Sequence, residues 1–363
     1  MTGEAARGSP GSVLASVPVL RVFAAWGATR TLRYVAAVAL VAAMAWVVAT
    51  AQPWTGDPTT WIHDAQYYYG AGERLNAGHL LYAYSPGDRQ LAVDPFYFAG
   101  PFLYPPLLGV LWRPVAAVVP YGVAVTAFWA IGLIVFLGTL AWLLRRGGAV
   151  TAIGVLVLVV PLSWTAWSGN VSTLMVPVVI WSWLALGRAR DRAAGAVVGV
   201  MAVMKLTPAF LVWWMLVTKR WRAAAAAIIA GVVALAVSIA GAGPGSLADY
   251  LRVSGLVGRT GGTEASLTSL LAGMGAGPDT LALVAPVVAV IGAVAVALLR
   301  RRPRVAWAVA IATGVFASPV FNLTNVSLLL AAFVALDPAI AVPAIDGDGA
   351  EARVPAAVVG AIA

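Results

Sequence analysis

The stretch Arg30-Thr-Leu-Arg33, followed directly by Tyr34-Val-Ala-Ala-Val-Ala-Leu-Val-Ala-Ala-Met-Ala-Trp-Val-Val-Ala-Thr-Ala51, decides the fold class. About 20 apolar residues in helical form span the hydrocarbon core of a bilayer, and basic residues collect at the cytoplasmic end of such a helix. The run reads as a membrane helix leaving the cytoplasm. The pattern recurs: further apolar runs lie near 102–120, 122–144, 149–167, 170–187, 193–218, 223–242, 280–299, 305–318 and 322–336. Between them fall Arg145-Arg146, the cluster Arg188, Arg190 and Arg192, the cluster Lys219, Arg220 and Arg222, and Arg300 to Arg304. Of 363 residues 61% are apolar and 10% charged, with a mean hydropathy of +0.91. Soluble domains hold about 45–50% and about 25%, so a soluble globular protein is excluded and an all-α, polytopic membrane protein is expected.

The net charge of +9 sits mostly in short clusters between apolar runs, as the positive-inside rule requires, and nucleic acid is not an expected partner. No cysteine is present, so disulfides and thiolate metal sites are impossible. Met1 to Pro18 lacks the charge, apolar core and cleavage site of a signal peptide. Residues 1–33 are expected to form a cytoplasmic lead, 34–338 the membrane domain, and 339–363 a loosely ordered tail.

Two segments break the apolar pattern. Residues 52–101 carry five of the fourteen acidic residues (Asp57, Asp64, Glu73, Asp88 and Asp94), both histidines (His63 and His79) and many tyrosines. Loops this long are usually functional or disordered, and the aromatic content favours a segment lying on the extracytoplasmic membrane surface. Residues 242–279, Gly-rich and carrying Arg252, Arg259 and Glu264, form a second extracytoplasmic loop.

Parity exposes two anomalies. The run 193–218 has basic clusters at both ends, so a single crossing breaks the positive-inside rule. A helix, a break at Lys205-Leu-Thr-Pro208 and a short return helix satisfies it. Residues 102–144 resemble two spans that start outside and end at Arg145-Arg146; either 102–120 is re-entrant or the arginine pair faces outward. Irregular backbone at membrane depth needs cover from protein or a water-filled cavity, so both anomalies point to an internal cavity.

Several residues could carry chemistry there. Asp64 opens a polar-aromatic segment just after the first membrane helix; an acid there serves as a helix cap or as a carboxylate base facing a cavity. Tyr104-Pro105-Pro106 opens the next apolar run, where proline at a helix start and an interfacial tyrosine are structurally sufficient. Arg113 snorkels or faces the cavity. Lys205 is the strongest intramembrane signal, since a lysine at membrane depth requires a partner or water. Ser168-Gly169-Asn170 and Asn322-Leu-Thr-Asn325 are polar interruptions at span ends, as caps, interhelical bonds or ligand contacts. Arg252 and Arg259 run against the positive-inside trend, and their planar donor forks suit phosphate. No metal-ligand spacing and no Walker loop is present.

These residues resemble the polyprenyl-phosphate-dependent membrane glycosyltransferases of family 87, in the GT-C superfamily. The resemblance rests on Asp64 with its following Tyr, Gly78 and Tyr82; Tyr104-Pro-Pro with Pro114; Gly169-Asn170; Gly187-Arg188; Ala194-Gly195; Lys205 with Pro208; Lys219-Arg-Trp-Arg222; Ser266-Leu267 with Leu270-Leu271; and Ser318-Pro319. It departs where the family often has Gln in place of Asn170, Asn before the Ser-Leu motif where this chain has Glu264-Ala265, and His shortly after Ser-Pro where this chain has Asn322 and Asn325. The resemblance implies a GT-C fold with about 10–12 transmembrane or re-entrant helices. It implies inverting transfer of a hexose, mannose first, from a polyprenyl-phosphate donor to a lipid-linked glycan at the outer face of the plasma membrane, with no cofactor. Asp64 would be the base; Tyr104, Asn170, Lys205, Arg252, Arg259, Glu264, Asn322 and Asn325 would bind substrate. Arabinofuranose is the alternative sugar, and a lipid or solute transporter the alternative class.

Overall fold

A computed structural model describes residues 28–50, 63–82, 102–259, 266–318 and 320–340. Glu264 and the side chain of Arg259, with most of the first loop and the tail after Ile340, lie outside the described residues. Among the described residues every regular element is helical. The protein is an all-α polytopic membrane protein: four helices, α1 (Ala28–Thr50), α4 (Tyr121–Arg146), α10 (Trp221–Ala242) and α13 (Pro278–Leu298), are long and apolar enough to cross a bilayer. A fifth such unit is the pair α5 (Ala149–Val157) and α6 (Val159–Ser168), bent by 65° at Leu158. Pro161 accounts for the bend, because its ring collides with the carbonyl four residues back, at Val157. Helix α1 starts at Ala28 and includes Arg30 and Arg33, which the apolar run alone assigned to the lead. Long basic side chains let a helix continue past its apolar stretch.

The other helices are shorter. They are α2 (His63–Asn76), α3 (Pro106–Val118), α7 (Ser172–Gly187), α8 (Asp191–Met204), α9 (Ala209–Val217), α11 (Ser246–Arg259), α12 (Leu267–Gly273), α14 (Pro303–Phe316), α15 (Leu323–Val326) and α16 (Leu329–Leu336). The 242–279 segment is thus largely helical.

The chain's path is fixed by polar ties at the arginine-rich end. Arg33, at the start of α1, donates to the Arg145 carbonyl at the end of α4 (3.1 Å). The fully buried Asp337, just after α16, caps α5: one carboxylate oxygen accepts from Gly148 N (2.6 Å), Thr151 N (3.0 Å) and Thr151 Oγ1 (2.5 Å). Arg304, at the start of α14, donates to the Asp337 carbonyl (3.1 Å). Trp183, Trp214 and Trp307 pack against one another with ring centroids 4.8–6.2 Å apart, joining α7, α9 and α14. Trp214 Nε1 donates to the Pro303 carbonyl (3.0 Å).

These ties bear on both parity anomalies. Arg145 lies beside Arg33 at the start of α1, so the arginine pair sits with the basic start of that helix, and α3, at 13 residues, is not among the helices long and apolar enough to cross. In the second case α8 runs from the basic end to Lys205, the chain breaks, and α9 returns. Pro208 cannot extend α8, since it lacks an N–H and its ring meets the Met204 carbonyl, yet it starts α9 without loss. The hairpin's two legs are pinned at their base by the Asp191–Arg220 ion pair (3.3 Å), with the guanidinium 5.6 Å above the Trp214 ring.

Helix α10 leaves that base and runs parallel to α8 at very close range. A Cβ on Gly195 would fall on the Ala223 carbonyl, and one on Gly199 on the Ala227 carbonyl. Small residues four apart let helix backbones meet where apolar lipid gives no hydrophobic drive to association. Gly199→Ala is therefore expected to destabilise the detergent-solubilised protein by about 1–3 kcal/mol, the cost of an overpacked contact. Gly138→Ala, in α4 with open space around it, is expected to leave the melting temperature unchanged or raised. Thermal unfolding of both variants checks the pair.

Candidate active site

At the opposite end from the arginine clusters that flank the long helices, four chain segments meet. Helix α2 brings Asp64 in its first turn, a favourable place for a carboxylate at a helix N-terminus. The residues leading into α3 bring Tyr104, whose backbone carbonyl accepts from Tyr82 Oη (2.7 Å). The turn between α6 and α7 brings Asn170: Gly169 ends α6 with a φ of +65°, in the left-handed region that glycine enters without penalty. The break between α8 and α9 brings Lys205 in extended conformation.

Their side chains form one hydrogen-bonded group. Tyr104 Oη donates to Asp64 Oδ1 (2.7 Å), and Asn170 Nδ2 donates to Asp64 Oδ2 (3.0 Å) and to Tyr104 Oη (2.7 Å). Asn170 Oδ1 accepts from Ser172 N (2.8 Å) and lies 3.5 Å from Lys205 Nζ, which also donates to Ser172 Oγ (3.0 Å). An amide offers two donors and two acceptor lone pairs, and in Asn170, fully buried, all four are used. The backbone N–H of Ser172 and the ammonium can meet only the amide oxygen, so the nitrogen must face the carboxylate. Lys205 Nζ also lies 6.0 Å from the centre of the Tyr104 ring.

Burial grades across the group. Asn170 and Ser172 are sealed, Tyr104 and Lys205 nearly so, and Asp64 is half-buried. The carboxylate is therefore the most exposed member of the group, and each of its oxygens keeps a lone pair beyond the bond it accepts. Behind it, Tyr68 Oη accepts from Val171 N (3.0 Å), and the Tyr68 ring meets Tyr104 edge-on with centroids 5.0 Å apart. Burial first, and then the charge of Asp64, holds both tyrosine hydroxyls well above their ordinary pKa. They stay protonated at neutral pH, and Tyr104 remains a donor to the carboxylate.

Four of the residues singled out from the sequence, Asp64, Tyr104, Asn170 and Lys205, thus come together. The others stand elsewhere. Arg252 is exposed on α11 and pairs with Asp249 one turn away (2.9 Å). Asn322 caps α15, accepting from Asn325 N (3.1 Å) and Thr324 Oγ1 (2.6 Å). Asn325 is fully buried and donates to the Val320 carbonyl (2.8 Å). Arg113 neither snorkels freely nor joins the group: it bonds Asn76 Oδ1 (3.1 Å) and the Gly241 carbonyl (2.9 Å), tying α3 to α2 and to the end of α10. Sequence reasoning passed over Ser172 and Tyr68; the only signal for Ser172 was its place two residues after Asn170. Among the described residues no group of three His, Asp or Glu side chains comes close enough together to hold a metal ion.

The chain belongs to glycosyltransferase family 87, whose family model matches residues 102–321 and so includes Tyr104, Asn170 and Lys205. Among characterised proteins it is similar to the polyprenol-phosphate-mannose-dependent alpha-(1-2)-phosphatidylinositol pentamannoside mannosyltransferase of Mycolicibacterium smegmatis, at 29% identity over 193 residues. That match takes in 49% of this chain and 44% of the relative, so less than half of the relative's length is spanned. No solved structure matches the chain.

Replacing Asn170 by Leu keeps the branched outline, adds bulk at a fully buried position, and strips Asp64, Tyr104, Ser172 N and Lys205 of a shared partner. Several buried groups left unsatisfied cost about 1–3 kcal/mol each. Tyr104→Phe removes one donor and leaves Asn170 on Asp64. Thermal unfolding is expected to rank Asn170→Leu as clearly the more destabilised.

Proposed function

We propose that the protein transfers a hexose, mannose in the reading favoured here, from a polyprenyl-phosphate donor to a lipid-linked glycan acceptor, with inversion at the anomeric carbon. The observation that carries this is the half-open Asp64 carboxylate, held by two donors, with the Lys205 ammonium on the far side of the Asn170 amide. In this reading Asp64 takes the proton of an acceptor hydroxyl as its oxygen attacks the anomeric carbon. The bond from that carbon to the phosphate oxygen breaks, its electron pair stays on the oxygen, and the polyprenyl phosphate leaves as a monoester. The phosphate is a good leaving group, so one carboxylate suffices where glycosidases generally use two. Lys205 offsets the charge growing on the departing phosphate.

Tyr104 and Asn170 then act as positioning residues. Asn170 has no free valence for a substrate; it aims the carboxylate and keeps the ammonium at a fixed remove from it, so that the two charges do not cancel in a direct pair. With the basic clusters facing the cytoplasm, the Asp64 end faces outward, and the reaction is assigned to the outer face of the plasma membrane. The donor and acceptor named for the mycolicibacterial relative support a lipid-phosphate hexose donor and a glycolipid acceptor.

The test uses membranes holding the wild type or Asp64→Asn, labelled polyprenyl-phosphate mannose and a cell-envelope lipid acceptor. Label is expected in glycolipid with the wild type and to fall by about 10²–10⁴-fold in the variant, the usual worth of a general base. Transfer surviving in Asp64→Asn would remove Asp64 as the base. Wild-type transfer only from a polyprenyl-phosphate arabinose donor would replace the sugar.

A second prediction concerns pH. Asn170→Asp is isosteric and sets two carboxylates about 3 Å apart, which cannot both ionise freely, so one proton is held to higher pH. Asp64 must be ionised to act. The variant is expected to lose activity near neutrality and to regain part of it as pH rises, an alkaline shift of the rising limb visible in a rate–pH profile.

A further inference from the structure

Two basic turns are folded onto one spot. One, Arg188-Ala-Arg-Asp-Arg192, leads from α7 into α8; the other, Lys219-Arg-Trp-Arg222, leads from α9 into α10. Helices α8 and α10 run parallel with their backbones in contact, at Gly195 against the Ala223 carbonyl and at Gly199 against the Ala227 carbonyl. Both contacts join residues 28 apart. In that register Arg192 stands level with Arg220, and the Asp191–Arg220 ion pair (3.3 Å) ties the two turns directly.

Asp191 is the only acidic residue in either turn, and Arg220 uses it. Arg188, Arg190, Arg192, Lys219 and Arg222 remain, all exposed, with no carboxylate in ion-pair reach among the described residues. Their depth is set by α10, which is long and apolar enough to cross a bilayer and begins at Trp221. The two turns therefore lie where the apolar stretch ends, at the level of the lipid headgroups. Trp221, 62% exposed, is the side chain expected at that level.

Several of these cations sit where the local backbone disfavours them. Arg192 and Arg222 are each the second residue of a helix, facing the positive end of its dipole. Lys219 has a φ of +60°, a left-handed conformation that asparagine adopts more readily than lysine. Membrane topology needs a surplus of Lys and Arg beside a span; it does not need them in the first turns of two helices packed side by side. An anion over the patch supplies the missing counter-charge.

We propose that this patch docks the phosphate headgroups of anionic phospholipids in the leaflet bordering the arginine-rich end. Clusters of about four to eight Lys or Arg beside a membrane helix bind anionic lipid, since each cation gains from the negative surface. The planar donor fork of arginine also suits a phosphate. Headgroup depth and the exposed indole select lipid over a soluble polyanion. The patch is apart from the Asp64 group, so it stands or falls independently of sugar transfer.

The experiment uses the full chain purified in a neutral detergent. Its thermal unfolding midpoint is followed as phosphatidylglycerol or phosphatidylcholine is added in mixed micelles. Wild type is compared with Lys219→Asn/Arg222→Gln and with a control, Arg300→Gln/Arg301→Gln, at the exposed basic turn after α13. A ligand that binds the folded state raises the midpoint in a saturable way. Phosphatidylglycerol is expected to do so for the wild type and phosphatidylcholine not. In Lys219→Asn/Arg222→Gln the half-saturating fraction of phosphatidylglycerol is expected to rise about 25-fold, about fivefold for each cation removed. The same variant's midpoint in phosphatidylcholine is expected to equal or exceed that of the wild type, because two disfavoured charges are gone; a merely structural role would lower it. The control is expected to respond to phosphatidylglycerol as the wild type does. An unaltered half-saturating fraction in Lys219→Asn/Arg222→Gln, or an equal loss in the control, would overturn the patch. Equal responses to the two lipids, or the wild-type response reproduced by inorganic phosphate at matched concentration, would overturn the lipid assignment. If the double variant is unfolded in phosphatidylcholine, Arg188→Gln, outside both helices, is read instead for its own fivefold change.

Discussion

Lys205 brings an ammonium group to the tip of a broken helix, where it is 7% exposed, and much of the surrounding architecture answers to that charge. An ion buried without partners costs several kcal/mol, and at membrane depth neither lipid tails nor bulk water relieves it. The partner is an indirect one. Instead of a direct ion pair with Asp64, the Asn170 amide stands between them, presenting its oxygen to the ammonium and its nitrogen to the carboxylate. The two charges stabilise each other at a distance, and each keeps room for a substrate.

That arrangement requires four segments to arrive together, and the elements that carry two of them are tied at the other end of the molecule. The hairpin carrying Lys205 is pinned by Asp191–Arg220 and by Arg220 over Trp214. The turn carrying Asn170 sits on α6, continuous through a bend with α5, whose start is capped by Asp337. Buried polar ties of this kind are worth most when every member is satisfied, as Asp337 is. Sites built on such supported elements hold their geometry better than sites on loops. The close parallel contact of α8 and α10 serves the same end, because small residues remove the slack that side chains would leave.

Much of the candidate site was legible from residue type and location. Asp64 was an acid among tyrosines just outside a membrane helix, and Lys205 a lysine inside an apolar run; both are costly enough to demand a reason. Tyr104 and Asn170 stood out only as polar marks at span ends, and the sequence offered caps as equal explanations. For Asn322 the structure shows a cap, its oxygen serving α15. Arg113 was conspicuous for the same cost as Lys205, yet it is spent on tying three helices together. Charge in an apolar context reveals that a partner exists without revealing which one.

The sequence by itself determined what short-range chemistry dictates: helices from apolar length, and the Lys205 break from Pro208 and the parity of basic ends. Only the tertiary structure decided that Arg145 lies beside Arg33, that Gly195 and Gly199 bear a backbone contact, and that Ser172 is a partner of the lysine. It also decided that residues 64, 104, 170 and 205 share one hydrogen-bonded group while Arg252 stands apart in its own pair. The reason is range. Helix formation and membrane insertion sum local terms that a linear reading can add up, whereas a hydrogen bond between residues 106 positions apart depends on the packing angles of every helix between them.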